Sequence, residues 1–151
     1  MAPMEDVVKA IHTDDKHLLR DALPRVGVNN QDPNMGNAAA INVASFMGKA
    51  EMVDEILRLR ASPDTQDDRG ASPLILSVVN GHAGCVDMLI AARANPNVAD
   101  KKGAVPVILS SFNGDAALTK KLLAAGANVR SAPRAIFFGS IFFSPVSVLG
   151  P

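Results

Sequence analysis

The chain has 151 residues, of which 48% are hydrophobic, so it has the size of one domain and enough apolar residues for a core. Fifteen basic residues balance fifteen acidic ones, which excludes the general electrostatic attraction to nucleic acid or anionic lipid that a strongly basic chain has. A single cysteine excludes an internal disulfide, and the longest apolar run, residues 136–143, is shorter than the roughly 18 to 20 residues that a membrane span needs.

The first 33 residues predict helical structure and show no secretory signal. Residues 1–8 are acidic instead of basic and then apolar, as a signal peptide would be. The missing signal and the single cysteine favour an intracellular, reducing compartment. The buried face of a helix is predicted by apolar residues at helical spacing, namely Leu18, Leu19, Ala22 and Leu23.

From residue 34 onward the sequence repeats with a period of 33 residues. Glycines recur at Gly48, Gly81 and Gly114, and a second series joins Gly70 to Gly103. A period of this length is typical of solenoid proteins, in which each repeat packs on its neighbours. The same register aligns three sets of core candidates, which are Ala61, Ala94 and Ala127; Met52, Cys85 and Leu118; and Ile56, Leu89 and Leu122.

One period predicts two short helices and a turn. Apolar side chains in residues 72–80 recur as in a largely buried helix of about two turns, and Pro73 stands at its start, where the amide has no partner. Gly81 ends this helix because glycine adopts the left-handed conformation without the steric cost of a Cβ atom. A second helix over residues 84–92 and a polar turn over residues 95–103 complete the period.

Three stretches carry the most distinctive motifs: D-D-R-G-A-S-P-L at residues 67–74, N-G-H at 80–82 and L-L-A-A-G-A-N-V at 122–129. They resemble the ankyrin repeat, whose signature is a turn, a T-P-L-H-x-A helix start and two antiparallel helices. The resemblance implies an all-α solenoid of about four helix-turn-helix repeats with β-turn fingers. The implied domains are a degenerate N-terminal capping repeat at 1–33, ankyrin repeats at 34–66, 67–99 and 100–132, and a non-repeat apolar tail at 133–151.

Two departures from the family's pattern predict moderate stability. The family's histidine at the helix start is Ile75 or Ile108 here, so apolar contacts replace its hydrogen bonds. Arg60 and Arg93 stand where Gly126 shows the usual glycine, and a left-handed residue with a Cβ atom costs on the order of 1 kcal/mol. The outer repeats carry Arg20 and Thr119 at a position that is valine in the inner ones, which also predicts weaker ends.

The tail does not follow the repeat. Four of the six phenylalanines fall within residues 137–143 and no charge follows Arg134, a composition that aggregates readily as an exposed strand. One interpretation is a segment that caps the last repeat or is poorly ordered, as in a truncated or alternative version of a longer protein. The other is a segment for self-association or for contact with a membrane.

No catalytic, cofactor or metal site is indicated. The glycines recur with the repeat, so they do not form a phosphate-binding loop. His12, His17 and His82 lack the spacing of a zinc site, and only one cysteine is present. A nucleophilic dyad of Cys85 and His82 is disfavoured because Cys85 lies on the core face of its helix. His82 is interpreted as a structural surface residue, and we predict that the protein is not an enzyme.

The resemblance implies that a protein partner binds a concave surface built from the fingers and the first helices. Phe46, Val79 and Phe112 are one period apart on that surface, and they are interpreted either as core residues between neighbouring helices or as exposed anchors. Met47 is the strongest single candidate for an exposed anchor. Matched by position, the partner-binding residues are Met35, Phe46, Met47, Asp68, Arg69, Val79, Asn80, Lys101, Lys102, Phe112 and Asn113.

The finger charges change along the chain, from Asp68 and Arg69 to Lys101 and Lys102. This change indicates specificity by complementary charge or, alternatively, a plain contribution to solubility. The implied function is an intracellular protein-protein interaction module, such as an adaptor, scaffold or inhibitor, in the cytoplasm or the nucleus. The alternative is a fragment or regulatory subunit of a larger ankyrin-containing enzyme or channel. No nucleic acid is expected as a partner, because Trp and Tyr are absent as stacking platforms.

Overall fold

The computed structural model describes residues 3–129, which form eight α-helices, one 3₁₀ helix and no strand. None of the helices in this range is long and apolar enough to cross a membrane. The predicted tail at 133–151 lies outside the described residues. The α-helices are α1 (Pro3–Thr13), α2 (Lys16–Val26), α3 (Ala40–Met47), α4 (Ala50–Arg58), α5 (Pro73–Val79), α6 (Ala83–Ala91), α7 (Pro106–Phe112) and α8 (Ala116–Ala124), and the 3₁₀ helix is Pro33–Met35.

The helices pair in chain order and stack in two layers. The first helices α1, α3, α5 and α7 pack side by side in one layer, and α4 packs on α6 in the other. Within each of the four pairs, the first helix contacts the second. The predicted all-α solenoid of paired helices is therefore confirmed.

The core is one continuous apolar cluster that passes through all four helix pairs. Ile56, Leu89 and Leu122, which are spaced by one period, are all fully buried. In the first pair the predicted apolar face is buried at Leu19 and Leu23, whereas Leu18 is only half-buried. These three core positions are therefore buried alike in successive repeats.

The turn glycines that follow the first helices share one local conformation. Gly48, Gly81 and Gly114 have φ angles of 75°, 71° and 74°, as the sequence predicts. Arg60 and Arg93 adopt positive φ angles of 72° and 61°, so these two arginines do carry the predicted left-handed strain.

The next repeat leaves no room for a side chain at position 48. A Cβ atom at this position would lie 2.6 Å from the ring of His82, whereas a Cβ atom at Gly81 would meet no other atom of residues 3–129 within 4 Å. The His82 Nε2 atom lies 3.1 Å from the carbonyl oxygen of Phe46, in hydrogen-bond distance. The histidine predicted to be structural thus joins the third helix pair to the second.

The helix starts show how the missing family histidine is replaced. Ile75 and Ile108 are buried, in agreement with the predicted apolar contacts. At the equivalent position of the preceding repeat, Asn42 donates hydrogen bonds from Nδ2 to the carbonyl oxygens of Thr65 and Ala71, at 2.7 and 3.3 Å. In this repeat a buried amide therefore connects α3 to the next finger.

An ion pair connects α2 to α4. Arg20 donates to both carboxylate oxygens of Glu55, at 2.6 and 3.0 Å, and the Glu55 side chain is 9% exposed. This hydrogen-bonded guanidinium holds the pKa of Glu55 below its ordinary value, against the opposing effect of burial. Arg20 occupies a valine position of the inner repeats, and it is accommodated by this pair.

Gly48→Ala is expected to destabilise the protein more than Gly81→Ala. Both changes place a Cβ atom at a positive φ angle, which costs about 1 kcal/mol. Gly48→Ala must in addition displace the His82 ring, and the lost hydrogen bond adds about 1 kcal/mol. Urea unfolding at 25 °C measures the difference. In a His82→Ala background the cost of Gly48→Ala should fall to that of Gly81→Ala; an unchanged cost would show that the ring is not the obstacle.

Glu55→Gln is expected to lower the free energy of unfolding at pH 7 by an amount that shrinks in acid. Because the folded pKa of Glu55 is depressed, its ion pair stabilises the protein fully above the unfolded pKa of about 4.3. That contribution is lost as the pH falls through the folded value. Urea unfolding of both proteins between pH 7 and pH 3 tests this. Asp54→Asn, which removes an exposed pair with Arg58 on the same helix, serves as the control and should have little effect. A pH-independent difference for Glu55→Gln would contradict the assignment.

Candidate functional site

The turns at residues 67–71 and 100–104, called here the second and third fingers, are each held by an aspartate. The Asp67 amide donates to the Ala71 carbonyl oxygen, and the Asp67 carboxylate accepts from the amides of Arg69 and Ala71, both at 2.9 Å. Asp100 makes the equivalent bonds one period later. These two aspartates are therefore structural. The finger tips are the two residues between each aspartate and the glycine that follows it, Gly70 or Gly103.

Neighbouring fingers are tied together by backbone hydrogen bonds. The Asp68 amide donates to the Gly36 carbonyl oxygen at 2.8 Å, and the Lys101 amide donates to that of Arg69 at 3.0 Å. The fingers pass so close that a Cβ atom at Gly70 would lie 2.7 Å from the Lys101 nitrogen. The spacing between the finger tips is thus fixed by the backbone.

The charged finger tips remain exposed to solvent. The four residues Asp68, Arg69, Lys101 and Lys102 form no ion pair with other residues of the range 3–129. Charges that the fold leaves unpaired in this way are available to a charged partner.

An apolar stripe runs across the first helices beside the fingers. Phe46, Val79 and Phe112 are 57%, 51% and 64% exposed, so the structure favours exposed anchors over core residues. One helical turn earlier, Leu76 and Leu109 are half-buried. We call the surface formed by the first helices and the fingers the inner face.

Met47 does not take the place predicted for it. Its side chain is half-buried and packs against the core, whereas its neighbour Phe46 points to solvent. Successive residues of a helix are rotated by about 100°, so these two side chains leave the helix in different directions. Met47 is therefore less exposed than predicted and less exposed than Phe46, while the role of either residue in partner binding stays a prediction. At the next two periods the residues equivalent to Met47 are Asn80 and Asn113, both exposed.

The inner face contains two adjoining hollows. The smaller, of about 290 Å³, lies between the second and third repeats, where Phe46, Val43 and Leu76 face the finger residues Met35 and Arg69. The larger, of about 600 Å³, lies between α1 and the 3₁₀ helix. Met35, which is 38% exposed, borders both hollows. We call the two hollows together the inner groove.

Sequence reasoning missed the α1 side of the inner groove. Glu5, Val8, Lys9 and His12 line this part, at spacings that place them on one helix face. The signal was present as an i, i+3, i+4, i+7 pattern. The degenerate first repeat has no turn glycine in register, so positional matching could not assign these residues to the surface.

Metal-ligand groups and the predicted Cys85–His82 dyad were sought among the described residues. No group of three or more histidine, cysteine, aspartate or glutamate side chains in the range 3–129 is placed to hold a metal ion. Burial raises the pKa of the Cys85 thiol to about 11, so the thiolate needed for nucleophilic attack is scarce at neutral pH. His82 is engaged with the Phe46 carbonyl group, and the Cys85–His82 dyad has no support in this arrangement.

Residues 37–132, which are more than half of the chain, match the family model for ankyrin repeats in three copies. The match includes the helix pairs α3–α4, α5–α6 and α7–α8. No curated protein matches the chain.

Proposed function

Because the chain belongs to the ankyrin-repeat family, whose repeats are generally protein-protein interaction modules, we propose that it is an adaptor, scaffold or inhibitor that holds a protein along its inner face. Ankyrin repeats are a non-catalytic interaction fold. The observation that carries the proposal is the exposed stripe of Phe46, Val79 and Phe112 beside charged, unpaired finger tips.

The stripe has the composition of an interface centre. Large aromatic side chains surrounded by polar groups contribute most of the binding energy in protein interfaces. Phe46 and Phe112 lie outside the buried core, and each exposes more than half of its surface. A contact of standard size buries about 1,200–2,000 Å² in total, which requires several repeats to take part.

The charge of the finger tips differs from one end of the surface to the other. Lys101 and Lys102 concentrate positive charge near the third finger, whereas Asp68 and Arg69 balance one another at the second. A partner that places acidic residues at the third finger would be oriented along the stack. The side chains of the inner groove, Met35 among them, would then receive its apolar residues.

A double variant, Phe46→Glu and Phe112→Glu, is expected to lose its specific partner. Each anchor contributes about 2 kcal/mol or more, which is about 30-fold in affinity, so the removal of two anchors lowers affinity by on the order of 1,000-fold if their contributions add. Affinity capture from source cells, followed by titration of the captured partner, measures the loss. The matched control is Met88→Glu, an exposed apolar residue on α6 in the other layer.

Lys101→Glu with Lys102→Glu should slow association with the partner and reverse the dependence of the association rate on salt.

Thermal unfolding verifies that every variant is folded. If the folded double phenylalanine variant keeps each specific partner while Met88→Glu loses one, the partner binds the opposite layer and the proposed surface is wrong.

A further inference from the structure

Two Asn–Gly pairs occur in the chain, Asn80–Gly81 and Asn113–Gly114, one period apart at the ends of α5 and α7. Both asparagines are exposed. An asparagine before a glycine is chemically labile, because a glycine without a side chain lets its backbone nitrogen approach the asparagine side chain closely. The two pairs are therefore candidate sites for a spontaneous modification, and they can be compared position by position.

The modification is deamidation through a cyclic imide. The backbone nitrogen of the glycine attacks the side-chain carbonyl carbon Cγ of the asparagine, so that an N–Cγ bond forms and the Cγ–Nδ2 bond breaks. The Nδ2 group takes up the proton of the glycine amide and leaves as ammonia. Water then opens the imide at either of its two carbonyl carbons and leaves aspartate or β-linked aspartate, so that no oxidant or reductant is needed.

The backbone geometry is alike at the two sites. Asn80 and Asn113 have ψ angles of 1° and −8°, and the amide of the following glycine donates to a carbonyl oxygen three residues before it, at 3.1 Å in both cases. Attack on Cγ requires that this bond breaks and that the asparagine rotates, so the reaction proceeds from a locally opened helix end. The rate at each site therefore depends on what else holds that helix end closed.

At Asn80 two further hydrogen bonds hold the helix end. The Asn80 Nδ2 atom donates to the carbonyl oxygen of Leu76 at 2.8 Å, which fixes the side chain that must rotate. Two residues later, the His82 Nε2 atom lies 3.1 Å from the carbonyl oxygen of Phe46 and joins the turn to the preceding repeat. Opening at Asn80 therefore works against one bond of the reacting side chain and one bond of the adjoining turn.

At Asn113 the described residues supply neither of these bonds. The Asn113 side chain makes no hydrogen bond with another residue of the range 3–129. The residue in place of His82 is Asp115, whose carboxylate accepts from the amide of Leu118 in the helix that follows, at 3.0 Å. This side chain therefore does not tie the turn after α7 to the preceding repeat.

We infer that Asn113, in contrast to its equivalent Asn80, is a site of spontaneous deamidation in the folded protein. Two additional hydrogen bonds of ordinary strength slow the reaction at Asn80 by on the order of ten-fold. Both products at Asn113 carry a negative charge at neutral pH, and the β-linked form also lengthens the backbone by a carbon atom. Asn113 adjoins Phe112, which is 64% exposed, so the new charge arises beside the exposed stripe.

The consequence for binding rests on the proposed function, whereas the reaction at Asn113 does not. A carboxylate next to Phe112 must lose water when an apolar group of a partner covers the stripe, and this loss is unfavourable. Deamidation at Asn113 is therefore expected to weaken the complex with the partner as the protein ages.

Timed incubation of the full chain at pH 8 and 37 °C tests the inference. Peptide mass spectrometry measures the fractions of aspartate and β-linked aspartate at positions 80 and 113. Synthetic peptides spanning residues 76–84 and 109–117 give the intrinsic rate of each Asn–Gly pair. The ratio of the intrinsic rate to the rate in the folded chain is the protection of that site, and it should be greater at Asn80 than at Asn113 by on the order of ten-fold.

Two variants separate the causes. His82→Ala should lower the protection of Asn80 and leave that of Asn113 unchanged. Equal protection at the two sites, lower protection at Asn80, or no conversion at Asn113 overturns the inference.

Asn113→Asp carries the charge of one product and should bind the captured partner more weakly than the neutral control Asn113→Ser. Equal affinity of these two variants, together with rapid conversion at Asn113, would establish the reaction and remove Asn113 from the proposed binding surface.

Discussion

Helices of seven to eleven residues, as found here, are too short to be stable alone in water, where about 12 to 15 residues are needed. A pair of such helices also cannot bury its apolar side without a neighbour. Contact between successive pairs is therefore the interaction on which the whole structure depends. The continuous core, the His82 bond to the Phe46 carbonyl group, the Asn42 bonds and the Arg20–Glu55 ion pair all act across this contact.

Stacking also decides which surface is free for function. Side chains that face the neighbouring pair are removed from water, so only the fingers, the inner side of the first helices, the outer side of the second helices and the two ends remain. On the inner side the period of 33 residues places Phe46, Val79 and Phe112 in a row, and the linked fingers hold their charges at fixed spacing. The contact between repeats that stabilises the fold thus also places these exposed side chains in a row.

The sequence was sufficient for features that depend on register. Gly48, Gly81 and Gly114 could be placed in left-handed turns, and Ile56, Leu89 and Leu122 in the core, because these positions keep their backbone conformation or their burial from repeat to repeat. The sequence was insufficient to predict which of two successive side chains in one helical turn is exposed. The repeat period places both Phe46 and Met47 at the end of the first helix. Only the orientation of the helix in the structure shows which side chain is more exposed.

Contacts between repeats likewise could not be predicted by aligning equivalent positions of the repeats. Arg20 interrupts a valine position and predicts a weaker end, yet its partner Glu55 lies 35 residues away and could not be paired with it from spacing alone. The α1 side of the inner groove was missed because the first repeat lacks an aligned glycine. The domain bounds at 33, 66, 99 and 132 stay predictions, as does the set of partner-binding residues.

Native-state amide hydrogen exchange at increasing urea tests the dependence on stacking most directly. If each pair is stabilised by its neighbours, protection should be greatest in α3–α6, which have a pair on both sides, and should be lost earlier in α1–α2 and α7–α8. Helices of one pair should exchange together. A terminal pair that kept its protection after the central pairs had opened would be an independent folding unit and would contradict the stacked architecture.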